Sequence, residues 1–119
     1  MVLPSRILVC GGREYKDFKA LCAEMDTLSQ WFAPEFVLIH GGARGADMLA
    51  HQWAFFRGCP VIRMDANWDF YDRKAGPIRN RWMLKWANPD LVIAFPGGIG
   101  TASMISIAKD AGVVTHEIR

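Results

Sequence analysis

The stretch Leu91-Val92-Ile93-Ala94-Phe95-Pro96-Gly97-Gly98-Ile99-Gly100-Thr101 joins an apolar run to a glycine-rich turn, and helical spacing continues from Thr101 to Ala111. A short apolar run bounded by turn residues is typical of a buried strand. Glycines let the backbone approach a ligand closely, and the N–H groups at a helix N-terminus favour an anion. The stretch therefore predicts a strand, a turn that holds a phosphate or carboxylate, and a helix.

Two other glycine turns also follow apolar runs. Gly11-Gly12 follows the run 6–10, and Gly41-Gly42 follows the run 36–40. The whole pattern predicts strands at 6–10, 36–40, 61–64, 91–95 and 113–118, and helices at 17–31, 44–57, 77–86 and 101–111. Asp17 is a suitable N-cap for the first helix, and Leu49, Trp53 and Phe56 are expected on one face of the second.

Strands that alternate with helices form parallel, right-handed βαβ units. The sequence therefore predicts a single α/β domain over 1–119, a small doubly wound Rossmann-like sheet of about five strands in the order 3-2-1-4-5, with helices on both faces. In such sheets ligands bind at the carboxyl ends of the strands, where the strand order reverses. The turns at Gly11-Gly12 and Gly97-Gly98 are then expected to face each other, with Gly41-Gly42 beside them.

Composition narrows the class of protein. The chain has 119 residues, of which 51% are apolar, which is enough to bury a core. The net charge of +2 is too small to indicate a nucleic-acid-binding protein by itself. Three cysteines without a C-x-x-C spacing predict a reducing, cytoplasmic setting and no metal site. No apolar run approaches the roughly 18 residues of a membrane span, and no signal peptide is evident.

The common nucleotide fingerprints are not present. Gly98-Ile99-Gly100-Thr101-Ala102-Ser103 begins like G-x-G-x-x-G but ends in serine and follows the fourth strand. There is also no G-x-x-x-x-G-K-[ST] motif, which excludes a P-loop NTPase.

Four motifs instead resemble one superfamily. Pro96–Thr101 is similar to the P-G-G-x-G-T signature of the LOG phosphoribohydrolases, and Gly42–Asp47 with His51 is similar to the A-R-G-I-D-x-x-A-H segment of the DprA/Smf DNA-processing proteins. Arg79-Asn80-Arg81 resembles the R-N-R of the latter, and Arg79 with Met83 resembles the R-K-x-x-M of the LOG enzymes. With the G-G-R-x-Y at 11–15, these motifs resemble the small YspA-type branch of the SLOG superfamily over nearly the whole chain.

The resemblance implies a Rossmann-like fold that binds a nucleotide or nucleotide-derived ligand, with the P-G-G-x-G-T turn on its phosphate. Arginine suits phosphate because its guanidinium binds two oxygens at once. The predicted ligand-binding residues are Gly11, Gly12, Arg13, Gly42, Arg44, Gly45, Asp47, Arg79, Asn80, Arg81, Pro96, Gly97, Gly98, Gly100 and Thr101. Each arginine could instead lie on a solvated face, and Asp47 could orient a sugar, brace a loop or pair with Arg44. No separate cofactor is predicted.

One departure bears on catalysis. In the LOG family the signature continues to a glutamate that acts with the arginine in cleaving an N-glycosidic bond, and that position here is Met104. A thioether cannot accept a proton, so binding without this hydrolysis is favoured, with Arg79 as the candidate catalytic residue if hydrolysis occurs. Glu14, Asp47 or Asp72 would have to supply the carboxylate. Single-stranded DNA binding through Arg79-Asn80-Arg81 is a third hypothesis.

Aromatic, histidine and cysteine side chains leave further alternatives. Trp68, Phe70 and Tyr71 could stack on a base or cover the sheet edge. The other tryptophans, Trp31, Trp53, Trp82 and Trp86, are expected in the core or at a subunit interface of a homo-oligomer. His40, His51 and His116 are expected to make structural hydrogen bonds, and Cys10 is expected to be a small core residue.

Overall fold

A computed structural model describes residues 2–67 and 74–119. The strands are β1 (Arg6–Cys10), β2 (Val37–His40), β3 (Val61–Arg63), β4 (Leu91–Ala94) and β5 (Val114–Glu117). The helices are α1 (Phe18–Leu28), α2 (Ala46–Arg57), α3 (Ala75–Trp82) and α4 (Ile99–Asp110). A 3₁₀ turn at Ser29–Trp31 extends α1, and a π-helical turn at Met83–Ala87 extends α3.

The five strands form one parallel sheet in the order β3-β2-β1-β4-β5. In the central strand, Leu8 pairs with Ile39 of β2 on one side and with Val92 of β4 on the other. The predicted fold and strand order are therefore confirmed. The strand order reverses between β1 and β4, so their carboxyl ends flank the topological switch point.

Alternate residues of β1 serve the two faces of the sheet, as the two-residue period of a strand requires. Ile7 and Val9 belong to a buried cluster with residues of α1 and α2. Leu8 and Cys10 belong to a second cluster with residues of α4 and of the π-helical turn. Helices thus cover both faces of the sheet.

Several helix ends follow the predicted residues. Asp17 caps α1, where its Oδ1 accepts a hydrogen bond from the Ala20 N–H at 2.9 Å. Gly58 ends α2 in the left-handed region, with φ 70°. Helix α4 begins at Ile99, two residues before the predicted start, so Gly98 is its N-cap and Gly100 lies in its first turn.

The aromatic side chains of the helices differ widely in exposure. Trp53 is buried, but Phe56 is 76% exposed. The buried residues of α2 are Ala46, Asp47, Ala50, Trp53 and Ala54, and Phe56 lies roughly a third of a turn from the centre of this set at 3.6 residues per turn. Trp31, Trp82 and Trp86 are also exposed rather than in the core, and their role at a subunit interface stays a prediction.

Within residues 2–67 and 74–119, no helix combines the length and apolar character needed to cross a membrane. The same residues contain no group of three or more histidine, cysteine or acidic side chains suited to a metal ion.

Candidate ligand-binding site

A cleft of about 500 Å³ opens at the carboxyl edge of the sheet, over the switch point between β1 and β4. The two turns that border it are joined directly, since the Gly12 N–H donates to the Pro96 carbonyl at 2.9 Å. The Phe95 N–H continues the ladder to the Cys10 carbonyl, also at 2.9 Å. The predicted opposition of these two glycine turns is therefore what the structure shows.

Nine of the predicted ligand-binding residues line this cleft. They are Gly11, Gly12, Arg13, Asp47, Arg79, Asn80, Gly98, Gly100 and Thr101. Apolar side chains that sequence reasoning did not assign to the site complete the walls, namely Val9, Pro77, Met83, Ile99 and Met104. The cleft therefore joins polar groups at the sheet edge to an apolar wall, the usual composition of a small-molecule site.

The turn after β4 leaves space beside the first turn of α4. Gly98, the N-cap residue, supplies no side-chain hydrogen bond to the helix. Apart from the adjacent backbone, a Cβ atom added to Gly98 or Gly100 would have no heavy atom within 4 Å. At Gly97 it would collide with the Thr101 hydroxyl and the Gly12 N–H. Gly97 is therefore needed for packing, whereas Gly98 and Gly100 leave the helix N-terminus open to the cleft.

Arg79 is fixed at the cleft by a direct hydrogen bond to the turn after β2 and, through Asn80, by a contact to the first turn of α4. Its Nη1 donates to the Gly41 carbonyl at 2.5 Å, and its Nε donates to Asn80 Oδ1 at 3.0 Å. Asn80 is buried and its Nδ2 donates to the Gly100 carbonyl at 3.4 Å. Burial lowers the pKa of Arg79, and nearby Asp47 opposes that effect. The guanidinium is thus held in one orientation between the turns after β2 and β4.

The turn after β2 uses its own backbone donors internally. Asp47 Oδ2 accepts hydrogen bonds from the N–H groups of Gly41 and Ala43, each at 3.2 Å. His40 Nδ1 accepts from the Gly42 N–H at 2.9 Å. Three successive N–H groups therefore have side-chain acceptors, and of the alternatives for Asp47 the structure shows the loop brace. Burial raises the pKa of Asp47 to about 6, although the hydrogen bond from Ala43 and the charge of Arg79 oppose the shift.

His40 and His51 form a hydrogen-bonded pair beneath this turn. His40 Nε2 lies 2.8 Å from His51 Nδ1. Because His40 Nδ1 accepts from Gly42, we assign the His40 proton to Nε2, which donates it to His51. Burial, followed by the nearby His51, lowers the pKa of His40 to about 4. His40 and His51 therefore make hydrogen bonds, as predicted, but no pattern in the sequence indicates that they bond to each other.

The remaining predicted residues lie away from the main cleft. Arg44 forms an exposed ion pair with Glu14, in which Nη2 and Oε1 lie 2.6 Å apart. Its partner is therefore Glu14 rather than Asp47, and Arg44 does not line the main cleft. Arg81 is exposed on α3 and does not line the cleft. Gly45 packs against the backbone of Gly12 and Arg13, Gly97 packs against Thr101 and Gly12, and Pro96 contributes its carbonyl to Gly12. Gly42 lines a smaller, neighbouring cleft.

Two other groups complete the inventory of the site. Cys10 is buried as predicted, and burial raises the pKa of its thiol to about 12, so it is not a thiolate nucleophile. Trp68, Phe70 and Tyr71, expected either to stack on a base or to cover the sheet edge, lie outside the described residues, as does the candidate carboxylate Asp72.

Comparison with known proteins identifies the family of the chain. The sequence profile of the family described as "YspA, cpYpsA-related SLOG family" matches residues 5–71. A protein of Mycobacterium phage D29, named Gene 61 protein, is 35% identical over 120 residues, which cover 91% of each chain. The profile match covers β1 to β3 with the first two glycine turns, and the relative extends the similarity across most of the remaining chain. The chain therefore belongs to the YspA and cpYpsA-related SLOG family.

Proposed function

We propose that the protein binds a phosphorylated nucleotide or nucleotide-derived ligand in the main cleft and acts as a sensor or binding module. The observation that carries the proposal is the first turn of α4, which opens into the cleft between two glycines and has no capping side chain. The first N–H groups of a helix lack intrahelical acceptors and favour a phosphate. Membership of a SLOG family supports nucleotide-related ligands in general.

The two ends of the cleft suit the two parts of a nucleotide. The phosphate would lie at Gly98, Gly100 and Thr101, where Arg79 and Arg13 add positive charge. The nucleoside would lie against the apolar wall, which includes the buried Met83 and Met104. A sugar hydroxyl could hydrogen-bond to Asp47, a role additional to its bracing of the loop.

A thermal-shift panel tests the proposal with nucleoside monophosphates, diphosphates, cyclic nucleotides and ADP-ribose. A ligand that binds only the folded state raises the free energy of unfolding of the protein, and above Kd the rise grows with the logarithm of the ratio of ligand concentration to Kd. For a ligand that stabilises the protein, Arg79→Ala should weaken binding by about tenfold or more, as expected for a charged hydrogen bond of roughly 1.5–3 kcal/mol. No stabilisation by any of these compounds at millimolar concentration would overturn the proposal.

Arg81→Ala is the matched control, because Arg81 lies on the same helix but is exposed and outside the cleft. It removes the same charge and should leave affinity nearly unchanged. Equal losses in the two variants would indicate a general electrostatic attraction rather than a phosphate held by Arg79.

Hydrolysis of a nucleotide at its N-glycosidic bond is the second candidate. Asp47 favours it, because this carboxyl lines the cleft and burial brings its pKa close to the range of a general acid or base. Two features weigh against it: Asp47 Oδ2 is engaged by two backbone N–H groups, and the signature glutamate position, Met104, places a thioether in the cleft. Release of free base from a nucleotide, lost in Arg79→Ala, would support hydrolysis, and chromatograms without free base would exclude it.

Single-stranded DNA binding has less support. Arg79 lies in the cleft whereas Arg81 is exposed on α3, so the two do not present one continuous basic surface. Oligonucleotide binding that is weak and insensitive to salt would dispose of this hypothesis.

A further inference from the structure

A second cleft of about 320 Å³ adjoins the first. Arg13, Ala43 and Arg79 line both clefts, so they form the boundary between two compartments of one site. The second compartment is completed by Gly41, Gly42, Arg44, Asp65 and Ala66. A ligand held at Arg79 in the first compartment can therefore continue past that arginine into the second.

The two compartments differ in chemistry. Buried apolar side chains such as Val9 and Met104 form part of the first. The described lining of the second contains three arginines, one carboxylate, two glycines and two alanines. The first compartment thus suits a nucleoside, whereas the second suits a strongly polar group with negative charge.

Asp65 is held in place at the second compartment. Arg63 binds it through two hydrogen bonds, Nε to Oδ1 at 2.7 Å and Nη2 to Oδ2 at 3.2 Å. The hydrogen bond from Arg63 also lowers the pKa of Asp65, so the carboxylate is ionised and can only accept hydrogen bonds. On the other side, an added Cβ at Gly42 would collide with Asp65 Oδ1. Gly42, with φ 73°, therefore lets the turn pass directly against this carboxylate.

We propose that the second compartment binds the distal half of an extended ligand, in which a nucleoside diphosphate is joined to a polyhydroxylated group. The second phosphate would lie between Arg13 and Arg79, where the compartments meet. Hydroxyl groups of the distal part would donate to Asp65, with Arg44 at the edge. This inference rests on the proposed nucleotide binding and specifies the class of nucleotide.

The test uses three ligand series that do not presuppose the base. AMP, ADP and ADP-ribose form one series; UMP, UDP and UDP-glucose form another; GMP, GDP and GDP-mannose form the third. Isothermal titration of the wild-type protein should show, in the series that binds, at least tenfold tighter binding of the diphosphate sugar than of the monophosphate. Equal affinities within a binding series would overturn the inference that the second compartment binds the distal group, and would leave the proposed function standing. If no series binds, the inference about the second compartment fails, and the cyclic nucleotides of the thermal-shift panel then decide the proposed function.

Ala66→Trp provides the structural arm of the test, because a large side chain there would fill part of the second compartment. The variant should bind the diphosphate sugar no more tightly than the monophosphate. Its affinity for the monophosphate reports whether the first compartment is intact. Ala23→Trp, on the exposed side of α1, is the matched control for adding an indole. A gain that persists in a folded Ala66→Trp protein would place the distal group elsewhere and overturn the inference.

Discussion

The turns after β2 and β4 both join a buried strand to a helix through glycines, yet their N–H groups have different partners. After β2, Asp47 and His40 accept hydrogen bonds from three successive residues, 41–43. After β4, α4 begins at Gly98 without a side-chain cap, and its first turn faces the cleft. A glycine turn before a helix is thus not enough to predict an anion site, because an aspartate at the second helical position can occupy the donors itself.

The comparison predicts unequal responses to the same glycine-to-alanine change. Gly45 has φ 85°, and an added Cβ would contact the carbonyl groups of Gly12 and Arg13. Gly45→Ala should therefore lower the free energy of unfolding by about 2–5 kcal/mol, from left-handed strain and overpacking together. Gly98→Ala, at φ −101° with open space around it, should change it by less than about 0.5 kcal/mol. Urea unfolding of both variants measures the difference.

Equal losses of stability in the two variants would break the comparison. Gly98→Ala should nevertheless weaken ligand binding, since its new methyl group would occupy space beside the helix N-terminus. Measuring affinity in the same samples separates these two roles of glycine.

Removing the internal acceptor should have the next largest effect. Asp47→Ala leaves the N–H groups of Gly41 and Ala43 without their acceptor and should cost about 2 kcal/mol, because a buried unsatisfied donor costs roughly 1–3 kcal/mol. Asp47→Asn keeps one oxygen and should lose less. Urea unfolding without ligand checks the order, and an Asp47→Ala protein as stable as wild type would show that the turn does not need this acceptor.

Sequence patterns predicted the contacts that depend on local periodicity. The strands, the order of the sheet and the meeting of the turns at Gly12 and Pro96 follow from apolar runs and from the handedness of βαβ units. The contacts that make the two turns differ are made by side chains. His40 reaches His51 and Arg79 reaches Gly41 only after the sheet and helices have packed, and no spacing along the chain encodes those distances.

The sequence pattern also did not predict which residues of α3 face the cleft. The R-N-R segment at 79–81 predicted three ligand-binding residues, yet successive helical positions point about 100° apart. Arg79 and Asn80 consequently line the cleft, and Arg81 does not. Met83, which also lines the cleft, carried a family resemblance but was not among the predicted ligand-binding residues.

The pH dependence of stability should separate the two acceptors of the turn after β2. The folded pKa of Asp47 is raised from 3.8 to about 6, so its contribution to stability is lost as pH rises through this window. The folded pKa of His40 is lowered from 6.5 to about 4, so its contribution is lost as pH falls. The two effects oppose each other in wild type between about pH 4 and 6.

Asp47→Asn removes one of these opposing effects. Its free energy of unfolding should rise with pH more steeply than that of wild type, by up to about 1.4 kcal/mol per pH unit for one proton. Urea unfolding at intervals from pH 4 to 6.5 gives both curves. Parallel curves would mean that the Asp47 carboxyl titrates alike in the folded and unfolded chains.

The smallest predicted effect has the opposite sign and bears most directly on why the turn after β4 contains its glycines. Gly100 lies in the first turn of α4, and an added Cβ would have no neighbour within 4 Å, so nothing in the packing requires glycine there. Gly100→Ala should therefore raise the free energy of unfolding by about 0.5–1 kcal/mol, because alanine loses less backbone entropy in a helix. The same methyl group would enter the space beside the proposed phosphate and should weaken binding. Gly58→Ala, equally open but at φ 70°, should lose stability without affecting binding. If Gly100→Ala gains stability and keeps full affinity, the open space at this turn is not where the ligand binds.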